Sequence, residues 1–258
     1  MIKNPAVLLT ALEPNERLLT QVANSFLSLR VGCAAAYLTD EPSTQLLDEL
    51  FTAVDRPDIG AWVILGEPKS FTKPILSALS LTALASRHLR AERNLPELPI
   101  ILSPSSGTLP PLPNALADAS VVTASLAAKT IAMIHTAKKI PQSPYRLDVL
   151  PLNEFGLWLE VGPGRDPWGG VLLGVAGAEP DAHGVGPSGA VPQRSTLKYP
   201  VKGMKLSVHD TDFTAWGTQN TLTPADSYFV RLTALPAAIV FGPYPADDNP
   251  ELFVLNLC

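Results

Sequence analysis

The chain has 258 residues, 46% of them hydrophobic, a formal net charge of −5 and two cysteines. That length fits one large domain or two ordinary ones. The acidic balance excludes nucleic acid, whose phosphates need clustered Lys and Arg, and two cysteines exclude a disulfide framework.

Residues 6–12 are an apolar run with a proline on either side, which predicts a buried strand. A helix follows over 15–30, because Leu18, Leu19, Val22, Phe26 and Leu29 recur at helical spacing. Residues 31–38 read as a second strand. Residues 43–54 read as a second helix with Leu46, Leu47, Leu50, Phe51 and Val54 on one face. The third strand is 61–65. After it a long helix starts at Thr72 as N-cap, with Pro74 in its first turn, and runs to about residue 94. Its opening, 75–85, is apolar or small nearly all round, which places it between other layers. Residues 99–102 are a fourth strand. Four prolines in 104–113 bar a full helix after it. Residues 120–123 make a fifth strand and 124–139 a closing helix. This alternation predicts a parallel sheet covered on both faces, with the flavodoxin-like order 2-1-3-4-5, as a domain over 1–140.

Composition then changes. Residues 1–140 hold 12 of the 26 prolines but 4 of the 17 glycines, and 12 basic side chains against 12 acidic ones. Residues 141–258 hold 14 prolines, 13 glycines, and 7 basic against 12 acidic, so the net charge sits there. A domain boundary near 138–144 is expected. Beyond it the short apolar runs 145–150, 156–161, 170–175, 204–208, 213–217, 227–233, 238–241 and 251–257 predict a mainly antiparallel sandwich or barrel over 144–258. The Gly/Pro-rich stretch 176–202 reads as one long loop of the kind that carries function.

Glu13-Pro14, Glu41-Pro42 and Glu67-Pro68 end the first three strand runs, and Ser103-Pro104 ends the fourth. All four stops fall on the carboxyl edge of the predicted sheet, where open α/β folds bind ligands. In the order 2-1-3-4-5, Glu13 and Glu67 flank the crevice. They are the candidate catalytic carboxylates, as nucleophile or base. Asn15, Lys69, Ser70, Ser103, Ser105 and Ser106 are the candidate ligand contacts around them. The same acids and prolines also punctuate helix starts, where they complement the positive helix end. His183, two residues after Asp181, is a further candidate ligand contact in the long loop. With His209, Asp210 and Asp212 it makes a metal or acid–base site only if the fold gathers them, and the spacing assigns no metal. Trp158, Trp168 and Trp216 suit either sugar stacking or a core.

The rhythm of residues 12–19, 56–60 and 98–103 resembles response-regulator receiver domains over residues 5–140. The resemblance implies the same doubly wound scaffold. It does not carry phosphoryl transfer. The acidic pair, phosphorylatable Asp and Lys of that family fall on Leu12-Glu13, Leu65-Gly66 and Thr123-Ala124-Ser125 here, and only Ser103 matches. No dinucleotide fingerprint, Walker A loop or Gly-x-Ser-x-Gly elbow is present, and the sequence names no cofactor. No catalytic constellation stands out, and the mean hydropathy of +0.18 hints at association surface. The expected function is therefore a small-molecule or protein-binding, regulatory module. Its partner is a small-molecule ligand, another protein or a second copy of the chain. The alternative is a hydrolase or glycosyl-type transferase at the sheet edge. No run reaches the roughly 18 apolar residues of a membrane span, so no membrane partner and a cytoplasmic location are expected.

Overall fold

A computed structural model describes residues 5–39, 42–151, 156–245 and 251–258. Glu41, the second acid–proline stop, lies outside them. The chain forms two compact units, Met1–Ile140 and Pro141–Cys258.

The first unit is a five-stranded parallel sheet. Its strands are β1 (Ala6–Ala11), β2 (Gly32–Tyr37), β3 (Ile59–Gly66), β4 (Ile100–Pro104) and β5 (Ser120–Val121), in the order β2-β1-β3-β4-β5. Helix α1 (Glu16–Leu27) begins where the Asn15 side chain accepts the Leu18 N–H at 3.0 Å. Helix α2 (Thr44–Asp55) begins where Ser43 accepts the Leu46 N–H at 3.2 Å. Such caps satisfy donors that the first helical turn leaves unpaired. Helices α3 (Lys73–Glu92) and α4 (Leu126–Thr136) complete the unit, and the proline-rich crossover between β4 and β5 holds only a 3₁₀ turn.

All eight residues of β3 are buried, as a central strand covered on both faces requires. On one face Val7, Leu9, Ala61, Val63 and Ile101 pack with Leu19 and Phe26 of α1 and Ala127 of α4. Each large apolar side chain fully buried there contributes roughly 1.5–3 kcal/mol. Trp62 points to the other face with Thr10, whose hydroxyl accepts its indole N–H at 2.8 Å. Twelve of the twenty residues of α3 are buried, from Ile75 to Arg90. Arg90 is one of them, and its guanidinium donates to the carbonyls of Pro96 (2.7 Å) and Ile59 (3.1 Å).

The second unit is a sandwich of two antiparallel sheets. One has the order β6-β7-β12-β9, from β6 (Tyr145–Pro151), β7 (Leu157–Pro163), β12 (Asp226–Leu232) and β9 (Pro180–Pro187). The other has the order β10-β11-β8-β13-β14. Its strands are β10 (Val201–Val208), β11 (Thr211–Thr218), β8 (Val171–Ala176), β13 (Ala238–Pro243) and β14 (Phe253–Asn256). Side chains alternate between core and outside along each strand. Tyr145 meets the edge of Phe241 across the sandwich, centroids 4.9 Å apart at 83°. A second apolar group, with Phe213 and Val240 buried beside Leu206 and Val254, lies on the outer side of the five-stranded sheet.

The expectation of a single loop over 176–202 is corrected. Within it β9 pairs with β12 from Pro180↔Leu232 to Pro187↔Asp226. Residues 188–195 then form a strap across the outer side of that sheet, and Thr196 and Lys198 beyond it bond to residues 218–220 at the end of β11. Gly184 and Gly186 permit this crossing. A Cβ on Gly184 would sit 3.0 Å from Pro192 Cγ, and one on Gly186 2.9 Å from Pro192 Cβ. The glycines read as loop residues in sequence because their structural task is close approach rather than turning.

Candidate functional site

The carboxyl edge of the parallel sheet brings together several of the candidates. Glu13 follows β1, and Glu67 opens the 3₁₀ turn Pro68–Ser70 that follows β3. Glu13 Oε1 accepts the hydroxyl of the buried Ser70 and the Glu67 N–H, the latter at 3.3 Å. The carboxylate therefore ties the loop after β1 to the loop after β3. The two edges are also in direct contact, since a Cβ on Gly66 would lie 3.1 Å from Leu12. Glu67 turns its own carboxylate to Lys69, Oε2 to Nζ 2.7 Å, with both side chains open to solvent. That pairing raises the Lys69 ammonium pKa above its ordinary value. Asn15 is spent as the cap of α1. Ser103, next to the last residue of β4, is half-buried, while Ser105 and Ser106 are exposed beyond the strand, the Ser105 N–H donating to the Gly66 carbonyl at 3.1 Å.

His183 lies in β9 and faces the core of the sandwich. Its Nδ1 shares a 2.7 Å hydrogen bond with the Tyr228 hydroxyl, and its ring stands edge-on to Trp216 at 4.8 Å. Burial, then the nearby Lys202 ammonium, lower its pKa to about 4, so the ring is neutral at pH 7. Lys202 Nζ itself sits 4.5 Å from the Trp216 ring centroid. Burial pushes the Tyr228 phenol well above its usual range. Asp181 does not join His183. A register shift in β9 beside Leu232 turns it to Arg231, at 2.7 Å. His209 and Asp210 form the two-residue turn between β10 and β11, with φ of 47° and 62°. Among the described residues no three His, Cys, Asp or Glu side chains gather as metal ligands. Trp158 takes the Arg231 guanidinium at 5.8 Å, and Trp168 is packed beside Leu222.

Sequence reasoning missed a buried polar cluster on the outer side of the four-stranded sheet. Glu160, 1% exposed, accepts Ser227 Oγ (2.6 Å), Ser188 Oγ (2.9 Å) and the Gly189 N–H (3.0 Å). Arg146 Nη1 lies 3.6 Å from Glu160 and donates to Ser188, while Nη2 donates to the Asp226 carbonyl at 2.6 Å. This cluster pins the start of the strap. The three groups that donate to Glu160 are 28 to 67 residues from it in sequence, so no local spacing announces them.

Several concavities open among the described residues. One of about 450 Å³ in the second unit has Arg165, Asp166 and Trp168 in its wall, and one of about 340 Å³ has Lys205, Asp212 and Glu179. One of about 210 Å³ in the first unit lies at the amino ends of the strands, opposite the edge that the sequence favours, beside Gly60, Arg90 and His135.

The outer edge of β2 differs from these polar places. Residues 31–38 contain no charge and no proline, and among the described residues β2 pairs only with β1, in unbroken register from Ala6↔Gly32 to Ala11↔Tyr37. Among the described residues five large apolar side chains are exposed. Three of them lie at either end of β2: Leu27 is the last residue of α1, Leu29 lies in the turn that leads into β2, and Tyr37 is the last residue of β2. Comparison with known proteins adds no guide. No family model, curated protein or solved structure matches the chain.

Proposed function

We propose that this chain is a protein-binding module that presents the edge of its parallel sheet to a strand of its partner. The observation that carries the reading is the open β2 edge, uncharged, unbulged and flanked by exposed Leu27, Leu29 and Tyr37. An edge strand leaves a row of backbone donors and acceptors that another strand satisfies, and natural proteins ordinarily block it with charge, proline or a bulge. The engagement of Glu13 by Ser70 and the Glu67 N–H supports the same reading, because it gives the carboxyl-edge acid a structural task.

A peptide of residues 31–38, titrated into dilute isotopically labelled protein, tests it. Amide shift changes concentrated in β2 are expected. Shifts spread over the surface, or none, contradict an open edge. Glu13→Gln and Glu67→Gln leave this binding unchanged.

A further inference from the structure

We infer that the strand which completes the β2 edge is the β2 of a second copy, paired antiparallel across a two-fold axis to give a continuous ten-stranded sheet; this rests on the edge reading above. The sheet edges of this molecule are not alike. β5, at the far side of the same sheet, is two residues long. β10 carries Lys202 and Lys205 and is bulged, with Gly203 at φ 72°. β9 has proline at both ends. These are devices that discourage pairing. β2 is six residues long, flat in register and without any of them.

The two ends of β2 are also complementary to each other. Tyr37, 42% exposed, stands at the carboxyl end. At the amino end are Leu27 and Leu29, 55% and 49% exposed, and Arg30, which has no ion pair among the described residues. A two-fold contact is isologous and runs the strands antiparallel. It therefore brings Tyr37 of each copy towards the Leu29–Arg30 end of the other. A tyrosine face accepts a guanidinium and covers aliphatic side chains. The small side chains of Ala34, Ala35 and Ala36 at the middle keep the helical layers from colliding as the backbones come within pairing distance. No second protein is needed to account for both ends.

Light scattering of the full chain over a range of concentrations tests the inference. The expected mass rises to twice that of the chain. Ala35→Lys places a charge on the exposed middle of the strand and is expected to return the mass to that of one chain at every concentration, with an unchanged unfolding temperature at high dilution. Ala35→Ser retains the dimer, and Tyr37→Ser weakens it at least tenfold. A dimer that survives Ala35→Lys overturns the assignment. So does a wild-type chain that stays single throughout. In that second case, β2 that still binds the 31–38 peptide leaves the edge reading standing, and β2 that binds nothing removes both.

Discussion

Glu13 shows how one carboxylate serves two descriptions. Its position after β1 is where a catalytic acid of an open sheet would stand, and its bonds are those of a clasp between two loops. The clasp makes a distinguishable forecast. Glu13→Ala strands the Ser70 hydroxyl and is expected to cost about 1–3 kcal/mol in urea unfolding of the first unit. Glu13→Gln keeps a carbonyl acceptor and costs less. Glu160 is the more demanding case. Glu160→Ala removes the acceptor of three donors and leaves Arg146 without its carboxylate, which is expected to cost about 3–5 kcal/mol. His183 sets a pH dependence. Its folded pKa, about 4, lies below the ordinary 6.5, so the unfolded chain binds the extra proton between those values. That contribution to stability is complete above pH 6.5 and is lost as the pH falls towards 4, by on the order of 1–2 kcal/mol once partial solvent access is allowed for. His183→Gln flattens this part of the unfolding-temperature profile, and an unchanged slope contradicts the assignment.

At the scale of elements, the strand and helix order of the first unit is legible because its apolar periods are long and its caps are local. Asn15, Ser43 and Thr72 stand where the helices begin. β9 is not legible. Its Asp-Ala-His-Gly-Val-Gly-Pro run has the composition of a turn, and only the strap lying over Gly184 and Gly186 explains why glycine is there. β10 starts three residues before the expected 204, since the bulge at Gly203 interrupts its alternation. The polar clusters are illegible for a different reason. The Ser70–Glu13 bond spans 57 residues and the Ser227–Glu160 bond spans 67, distances that the chain closes only by folding. Gly184→Ala forces Pro192 aside and is expected to destabilise the second unit by about 1–3 kcal/mol. Pro192→Ala, which removes the crowding Cγ, restores most of that loss in the double variant. Additive losses in a double-mutant cycle contradict the close-packed strap.

For the whole molecule, the order 2-1-3-4-5 expected from the strand–helix alternation already puts residues 31–38 at the edge of the sheet, and the structure has that order. What the sequence leaves open is which side chains are exposed beside that edge. Once the order is β2-β1-β3-β4-β5, β2 has an unpaired backbone side among the described residues with apolar side chains at its ends, and at the carboxyl edge Glu13 is engaged by Ser70 and the Glu67 N–H. No described helix is long and apolar enough to cross a membrane. Completion of β2 by another strand is read out by amide hydrogen exchange of β2 itself. Rapid exchange of its outward amides is expected in dilute protein, with protection that grows with concentration and is absent in Ala35→Lys. Exchange that is the same at every concentration, and the same in the variant, contradicts it.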